Sequence, residues 1–271
     1  EASAEHQFLH SMGGDGRPAR SFIPSPRLID RACRNTQEVD VLEYIADGFR
    51  QALVLLASRD AEVYGVIALS LVVSVLSSLI SGFIGTVIGL YTGLKSFRGK
   101  KLFARVLYTL MGLPPVVIGL LVAITLSRRG PLGSLELLFT PTAMVIAQVI
   151  LVTPIVTGIV FNVAVKRGRE VFELGKTLGG GPAALLGLFF KELKSELLAA
   201  FVTGFGRAIS EVGAVMIVGG NIKEHTRVMT TYIAMNNSMG NYAQSIAMAI
   251  VLLTLSFLAN AIVYHAAGEE I

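Results

Sequence analysis

VYGVIALSLVVSVLSSLISGFIGTVIGLYTGL, residues Val63–Leu94, contains no Asp, Glu, Lys or Arg. A helix crosses the hydrocarbon of a bilayer with about 20 predominantly apolar residues, so this block can span by itself. Lipid offers no partners to backbone N–H and C=O groups, which makes a helix the expected form of such a block. Three more blocks lack these charges: Val106–Ser127, Leu137–Val165 and Val228–Gly268. Hydrophobic residues make up 53% of the 271 positions and charged residues 15%, with a mean hydropathy of +0.65. Soluble domains carry about 25% charged residues. The sequence therefore describes an all-α, polytopic membrane protein. Five spans are expected, at about 64–92, 102–127, 141–165, 196–220 and 242–265.

The net charge of +4 does not indicate a nucleic-acid partner, because the basic residues sit in short loops between spans. Lys95, Arg98, Lys100, Lys101 and Arg105 follow the first span; Lys166, Arg167, Arg169, Lys176, Lys191 and Lys194 follow the third. The other side carries Arg128, Arg129, Lys223 and Arg227, joined by Arg50 and Arg59 if the preceding segment lies there. Eleven against six puts the 92–105 and 166–195 loops in the cytoplasm by the positive-inside rule. The amino terminus is then outside and the carboxyl terminus cytoplasmic.

Residues 1–40 differ from the rest. They hold five Arg and six Asp/Glu, a Gly-Gly-Asp-Gly stretch at 13–16 and Pro-Ser-Pro at 24–26, without apolar periodicity. Such a segment is expected to be disordered or a non-native extension upstream of the true start, and it lacks the apolar core of a signal peptide. His6 and His10 stand four apart with no further ligands beside them, so no metal site is expected. The lone Cys33 excludes an internal disulfide and a cysteine metal cluster. Within 41–62, Leu42, Ile45, Ala46, Phe49, Leu53 and Leu56 form one helical stripe, expected of an amphipathic helix on the membrane surface. Residues 63–267 form the membrane domain.

Between the third and fourth spans lies KRGREVFELGKTLGGGPAALLGLFFKELKSE, Lys166–Glu196. Arg169–Leu178 reads as a short helix stopped by Gly179-Gly180-Gly181-Pro182, since glycine permits a left-handed cap and proline cannot continue the helix. A second helix, Ala183–Leu193, leads back to the membrane. A rigid helical handle of this kind suits force transmission from a soluble partner, and the plainer reading is an amphipathic connector.

Glu173-Leu174-Gly175-Lys176-Thr177-Leu178-Gly179 resembles the EAA loop of ABC importer permeases. Leu174 and Gly175 stand where that loop has two alanines, and Leu193-Lys194 stands where it ends in Leu-Pro. Over about residues 42–267 the chain is similar to permease subunits of tungstate importers, within a group that includes molybdate and sulfate permeases. The resemblance rests on Gly112-Leu113-Pro114-Pro115-Val116-Val117-Ile118-Gly119-Leu120, on Leu137-Leu138-Phe139-Thr140-Pro141-Thr142-Ala143-Met144, and on Gly206–Met216 followed by Gly219-Gly220-Asn221-Ile222 and Thr226–Thr231. It sets in near Val39–Val41. It implies the type I permease fold, with two copies forming the pathway, two ATP-binding subunits docked on the Glu173 loops, and an extracytoplasmic binding protein delivering the oxyanion. The chain has no GxxxxGK[ST] phosphate loop, so ATP and magnesium are expected in the partner subunit and no cofactor or enzymatic activity in this one.

Pathway or gate candidates follow from cost. Arg207 and Glu211 lie four apart in the fourth span and can pair; ionisable groups at membrane depth face a pore or the bundle interior. Arg207 could attract a divalent oxyanion. Because Glu211 would cancel much of that field, a packing or gating role for the pair, with Ser210 and Gly213 beside it, is favoured. Pro114 and Pro115 interrupt the second span and Pro154 the third, which suits a gate but also occurs in inert spans. Gly82, Gly85, Gly89 and Gly93 recur at the spacing that lets helices approach closely. Outside, residues 226–236 are expected to form a short helix, and Asn221, Lys223, His225 and Arg227 could present a basic mouth to a binding protein, weakened by Glu224. A secondary transporter would need no motor and would more often show an internal repeat; a scaffold for another complex would need neither the paired residues nor the loop.

Overall fold

The computed structural model describes residues 46–50, 52–54, 57, 61–177, 179 and 181–267. The expectations for residues 1–40, for Leu42, Ile45 and Leu56, and for Leu178 lie outside these.

Helix α1, Ala61–Leu94, starts with Glu62 in its first turn, where the helix dipole favours an acid. Its buried face is made of small residues: Ser70, Ser74, Ser77, Ser78, Ser81, Gly85, Gly89 and Gly93. The serine hydroxyls close onto their own helix, Ser70 Oγ to Val66 O at 2.7 Å and Ser78 Oγ to Ser74 O at 2.6 Å, which satisfies them without water. The glycines admit helix α4, Pro141–Val163. A Cβ on Gly85 would lie 2.9 Å from Val156 Cβ, one on Gly89 2.9 Å from Thr157 O, and one on Gly93 2.5 Å from Ala164 Cβ. The glycine spacing therefore serves helix approach, as expected.

Among the described residues, three helices are long and apolar enough to cross a membrane: α1, α4 with its continuation to Gly168, and the last helix, Tyr242–Ala267, whose span is 242–261. The second and fourth expected spans are instead bent pairs, which bring the total to five if each pair is one span. The second consists of α2, Lys100–Met111, and α3, Pro115–Leu126, turned by 93°. Gly112 N–H closes α2 on Thr109 O at 3.1 Å. Pro114 is extended and Pro115 opens α3 at its first position, where a missing N–H costs nothing. The sequence marked this interruption but not its angle. Pro154 stays inside an uninterrupted α4.

A wide turn, Ala164–Gly168, carries α4 into α5, Arg169–Thr177, followed by α6, Pro182–Glu192, and α7, Lys194–Ile209. The fourth span continues as α8, Gly213–Gly219, bent by 55° from α7. A continuous helix over 196–220 was expected, and the bend corrects that expectation. Helix α9, Met229–Ser238, sits where 226–236 was expected, but Met229, Thr230 and Thr231 are buried rather than displayed. Helix α10, Tyr242–Ala267, ends the described chain.

Apolar packing is divided along the bundle. Val122, Met144, Ala147, Val215 and Val218 join α3, α4 and α8, while Val63, Val66, Phe205, Met229, Met248 and Val251 join α1, α7, α9 and α10. Residues 46–50 and 52–54 are helical. Gly48 meets Ile246 and Ala52 is buried, whereas Phe49 and Leu53 of the apolar stripe point away from the bundle and are exposed.

Candidate functional site

The break in the fourth span is built from groups on four elements. Ser210 N–H donates to Gly206 O at 3.3 Å and Glu211 N–H to Ala208 O at 3.3 Å, which ends α7. Glu211 Oε1 then accepts from Ala214 N–H at 3.2 Å and so caps α8, while Oε2 pairs with Arg207 at 3.4 Å. The carboxylate is 3% exposed and the guanidinium 37%. The pair thus spends its anion on a helix terminus inside the bundle and leaves part of its cation accessible. Thr230 Oγ donates to Glu211 O at 3.0 Å. Gln148 Nε2 donates to Ala208 O at 3.0 Å and its Oε1 accepts from Ser77 Oγ at 2.6 Å. Carbonyls freed by a helix break in apolar surroundings need such partners, and here α4 and α9 supply them.

The two breaks meet. A Cβ on Gly119 of α3 would lie 2.7 Å from Ala214 Cα, and one on Gly213 would lie 2.9 Å from Val116 Cγ2. Pro114 and Pro115 therefore deliver α3 against α8, and the gate candidates Pro115, Glu211 and Gly213 fall in one place. The far end of α8 is also held. Phe139 N–H donates to Val218 O at 2.9 Å, and Thr226 Oγ donates to Gly219 O. Phe139 adopts φ +65, a strained backbone for a bulky residue.

In the loop, Glu173 and Leu174 of α5 are exposed and Gly175 is buried. A side chain at 175 would strike Leu185 of α6, which explains a glycine where the resembled motif has alanine. Lys176 Nζ lies 5.3 Å from the Phe172 ring centre, and Thr177 Oγ donates to Leu174 O at 2.7 Å. Gly179, at φ +74, donates to Lys176 O at 3.0 Å and gives the left-handed stop expected of it. Phe189 and Leu193, buried with Ala164, anchor the end of α6 to the bundle.

On the loop between α8 and α9, Lys223 and Arg227 converge on Glu62 of α1, at 2.8 and 2.9 Å, and Arg227 Nε donates to Asn221 Oδ1 at 3.3 Å. The hydrogen bond and charge of Glu62 raise the Lys223 pKa above its ordinary value. His225 is exposed. The basic mouth expected from this segment therefore has one of its two positive charges offset by an acid far away in sequence. Sequence reading missed Glu62, Gln148 and Thr230. Their signal was weak: each is a polar side chain at the edge of, or inside, an otherwise apolar block.

Residues 85–267 match the family described as "Binding-protein-dependent transport system inner membrane component". The chain belongs to this family. As a member it is a multi-pass membrane protein that serves a binding-protein-dependent transport system. It is 54% identical over 228 residues to the tungstate uptake system permease protein TupB of Peptoclostridium acidaminophilum, covering 84% of this chain and 100% of the relative. The corresponding protein of Campylobacter jejuni is 37% identical over 223 residues, 82% of this chain and 93% of the relative. The molybdenum transport system permease protein ModB of Azotobacter vinelandii is 28% identical over 200 residues, 71% of this chain and 88% of the relative. All three are transport proteins, and the family match includes the 166–195 loop, the bent α7–α8 pair and the segment that follows it.

Proposed function

We propose that the chain is the permease subunit of an ATP-driven importer of tungstate. The observation that carries this reading is the 54% identity to a tungstate uptake permease along that relative's whole length. Two copies line the pathway, and an extracytoplasmic binding protein delivers the oxyanion at the side of Asn221, Lys223, His225 and Arg227. A separate ATP-binding subunit, which holds ATP and magnesium, docks on the 173–179 loop of each copy. The loops 92–105 and 166–195 are cytoplasmic, with the amino terminus outside and the carboxyl terminus inside.

The geometry supports a simple division of labour. Helix α5 presents Glu173 and Leu174 outward while Gly175 locks it to α6, so a push on α5 moves α6 and the anchored Phe189 and Leu193 with it. Leu193 directly precedes α7, which leads to the break at Ser210–Val212. Rearrangement there moves α8 against α3. Arg207 is a positioning residue at this break, and its exposed part adds a positive field to the path.

Affinity purification of the tagged protein from membranes, beside a Glu173→Arg variant, tests the coupling. Recovery of an ATP-binding subunit with the wild type and its loss in the variant is the expected result. Equal recovery with both would place the docking surface elsewhere.

A further inference from the structure

The end of α1 and the two loop helices enclose an open groove of about 500 Å³, unrelated to the breaks in the spans. Its walls are aliphatic and aromatic: Leu90 and Tyr91 of α1, Phe172 of α5, and Phe189 and Phe190 of α6, with Lys95 at its end. Phe189 and Phe190 meet edge to face at 6.3 Å, which gives the groove a firm floor. It continues an apolar strip on α1, where Phe83, Val87, Ile88 and Tyr91 are all exposed. In a membrane-spanning chain this strip faces hydrocarbon or another protein.

The groove's mouth separates these cases by charge. Lys95 Nζ sits 5.0 Å from the centre of the Tyr91 ring and donates to Tyr91 Oη at 2.9 Å. Lys100 Nζ folds back to the carbonyls of Gly93 and Lys95. Lys95 thus lines the groove at the terminus of α1, where the helix dipole favours cations. Lys100 stands at the same terminus over the Phe161 ring, outside that lining, and Arg98 and Lys101 belong to the same short loop. An apolar slot ending in a cationic rim at the end of a membrane span matches an acyl chain below a phosphate, not a protein helix that would have to bring its own acids.

We propose that this groove is a binding site for an anionic phospholipid, one acyl chain lying between Leu90 and Phe190 and its phosphate at Lys95. The lipid then bridges α1 to both loop helices, so the state of the loop senses the lipid beside it. The chain contains no tryptophan, so Phe190→Trp installs a single reporter in the groove, and Leu90→Trp reports from the opposite wall if the first variant folds poorly. Each is reconstituted into vesicles of phosphatidylcholine containing either phosphatidylglycerol or phosphatidylcholine brominated on its acyl chains. Quenching is expected at about fivefold lower content of the brominated phosphatidylglycerol, the factor that one lysine contributes near an anionic lipid surface. A further Lys95→Glu change is expected to abolish this preference without abolishing quenching. Equal quenching by both lipids would overturn the proposal, as would absence of quenching by either, which would mean that protein covers the groove.

Discussion

The chain interrupts its helices in two ways. At Gly179 the break lies in a loop outside the spans: the glycine has φ +74, open space where a Cβ would stand, and one local hydrogen bond. At Ser210–Val212 the break lies inside a span, and its backbone groups are tied to Gln148, Thr230 and the Glu211 carboxylate. The first kind of break needs only the right residue. The second needs partners from other spans, so it is a tertiary structure in miniature and a place where movement must exchange one set of bonds for another.

Changes at the two breaks should therefore differ in kind. The largest effect on function is expected at the loop, where Glu173→Arg abolishes transport while costing no more stability than an exposed polar contact does, about 0–1 kcal/mol, because Glu173 is exposed. The largest effect on stability is expected at the span break. Glu211→Leu removes the cap of α8 and strands Arg207, lowering stability by about 2 kcal/mol, the upper end for a lost helix cap; thermal unfolding in detergent measures it. Glu211→Gln, which keeps an acceptor for Ala214 N–H, should lose clearly less. If the two variants are equal, the charge rather than the cap is what matters.

Next in size is Gln148→Leu, which removes the side-chain bonds to Ala208 O and Ser77 Oγ, leaving each its local partner, and is expected to cost about 1–2 kcal/mol. Combined with Thr230→Val, a double-mutant cycle should show coupling above about 0.5 kcal/mol, since both side chains hold the same break. Additive effects would mean that the break is not one unit. Gly179→Ala, by contrast, is expected to cost about 1 kcal/mol through its left-handed backbone alone and to couple to neither.

The smallest effect belongs to the loop between α8 and α9. Lys223 is exposed and its ion pair with Glu62 contributes little. Its raised pKa keeps the ammonium form. What it contributes is fully present below the ordinary lysine value of about 10.4 and is lost only as pH rises through the still higher folded value. Lys223→Met is therefore expected to leave the unfolding midpoint alike at pH 6 and pH 9.

The same contrast explains what could be read from sequence. Helices α5 and α6 came within a residue or two of their expected limits because Gly179 and Pro182 act locally. The four charge-free blocks fall on α1, the α2–α3 pair, α4 and α10, whereas the fourth expected span, which carries Arg207 and Glu211, lay outside them; the glycines on α1 announced a close neighbour. The bend after Ile209 had no comparable mark: Ser210, Glu211 and Val212 contain neither proline nor glycine, and what holds the chain there lies 19 to 60 positions away, at Thr230 and Gln148. For the same reason the basic edge of Lys223 and Arg227, weakened in the sequence only by Glu224, gives no sign of Glu62, which pairs with both. Patterns within a helix were legible. Partnerships between helices were not.

The central claim is that this membrane subunit moves tungstate by the work of an ATPase docked at Glu173. The most direct measurement is uptake into proteoliposomes holding the permease, its ATP-binding subunit and its binding protein, with tungstate, molybdate and sulfate supplied together and the trapped anions counted by elemental mass spectrometry. Tungstate is expected to accumulate above its external concentration only with ATP, ahead of the other two anions, and not with Glu173→Arg. Accumulation without ATP, or uptake by the Glu173→Arg variant at the wild-type rate, would contradict the account; preferential uptake of molybdate would keep the coupling and overturn the substrate.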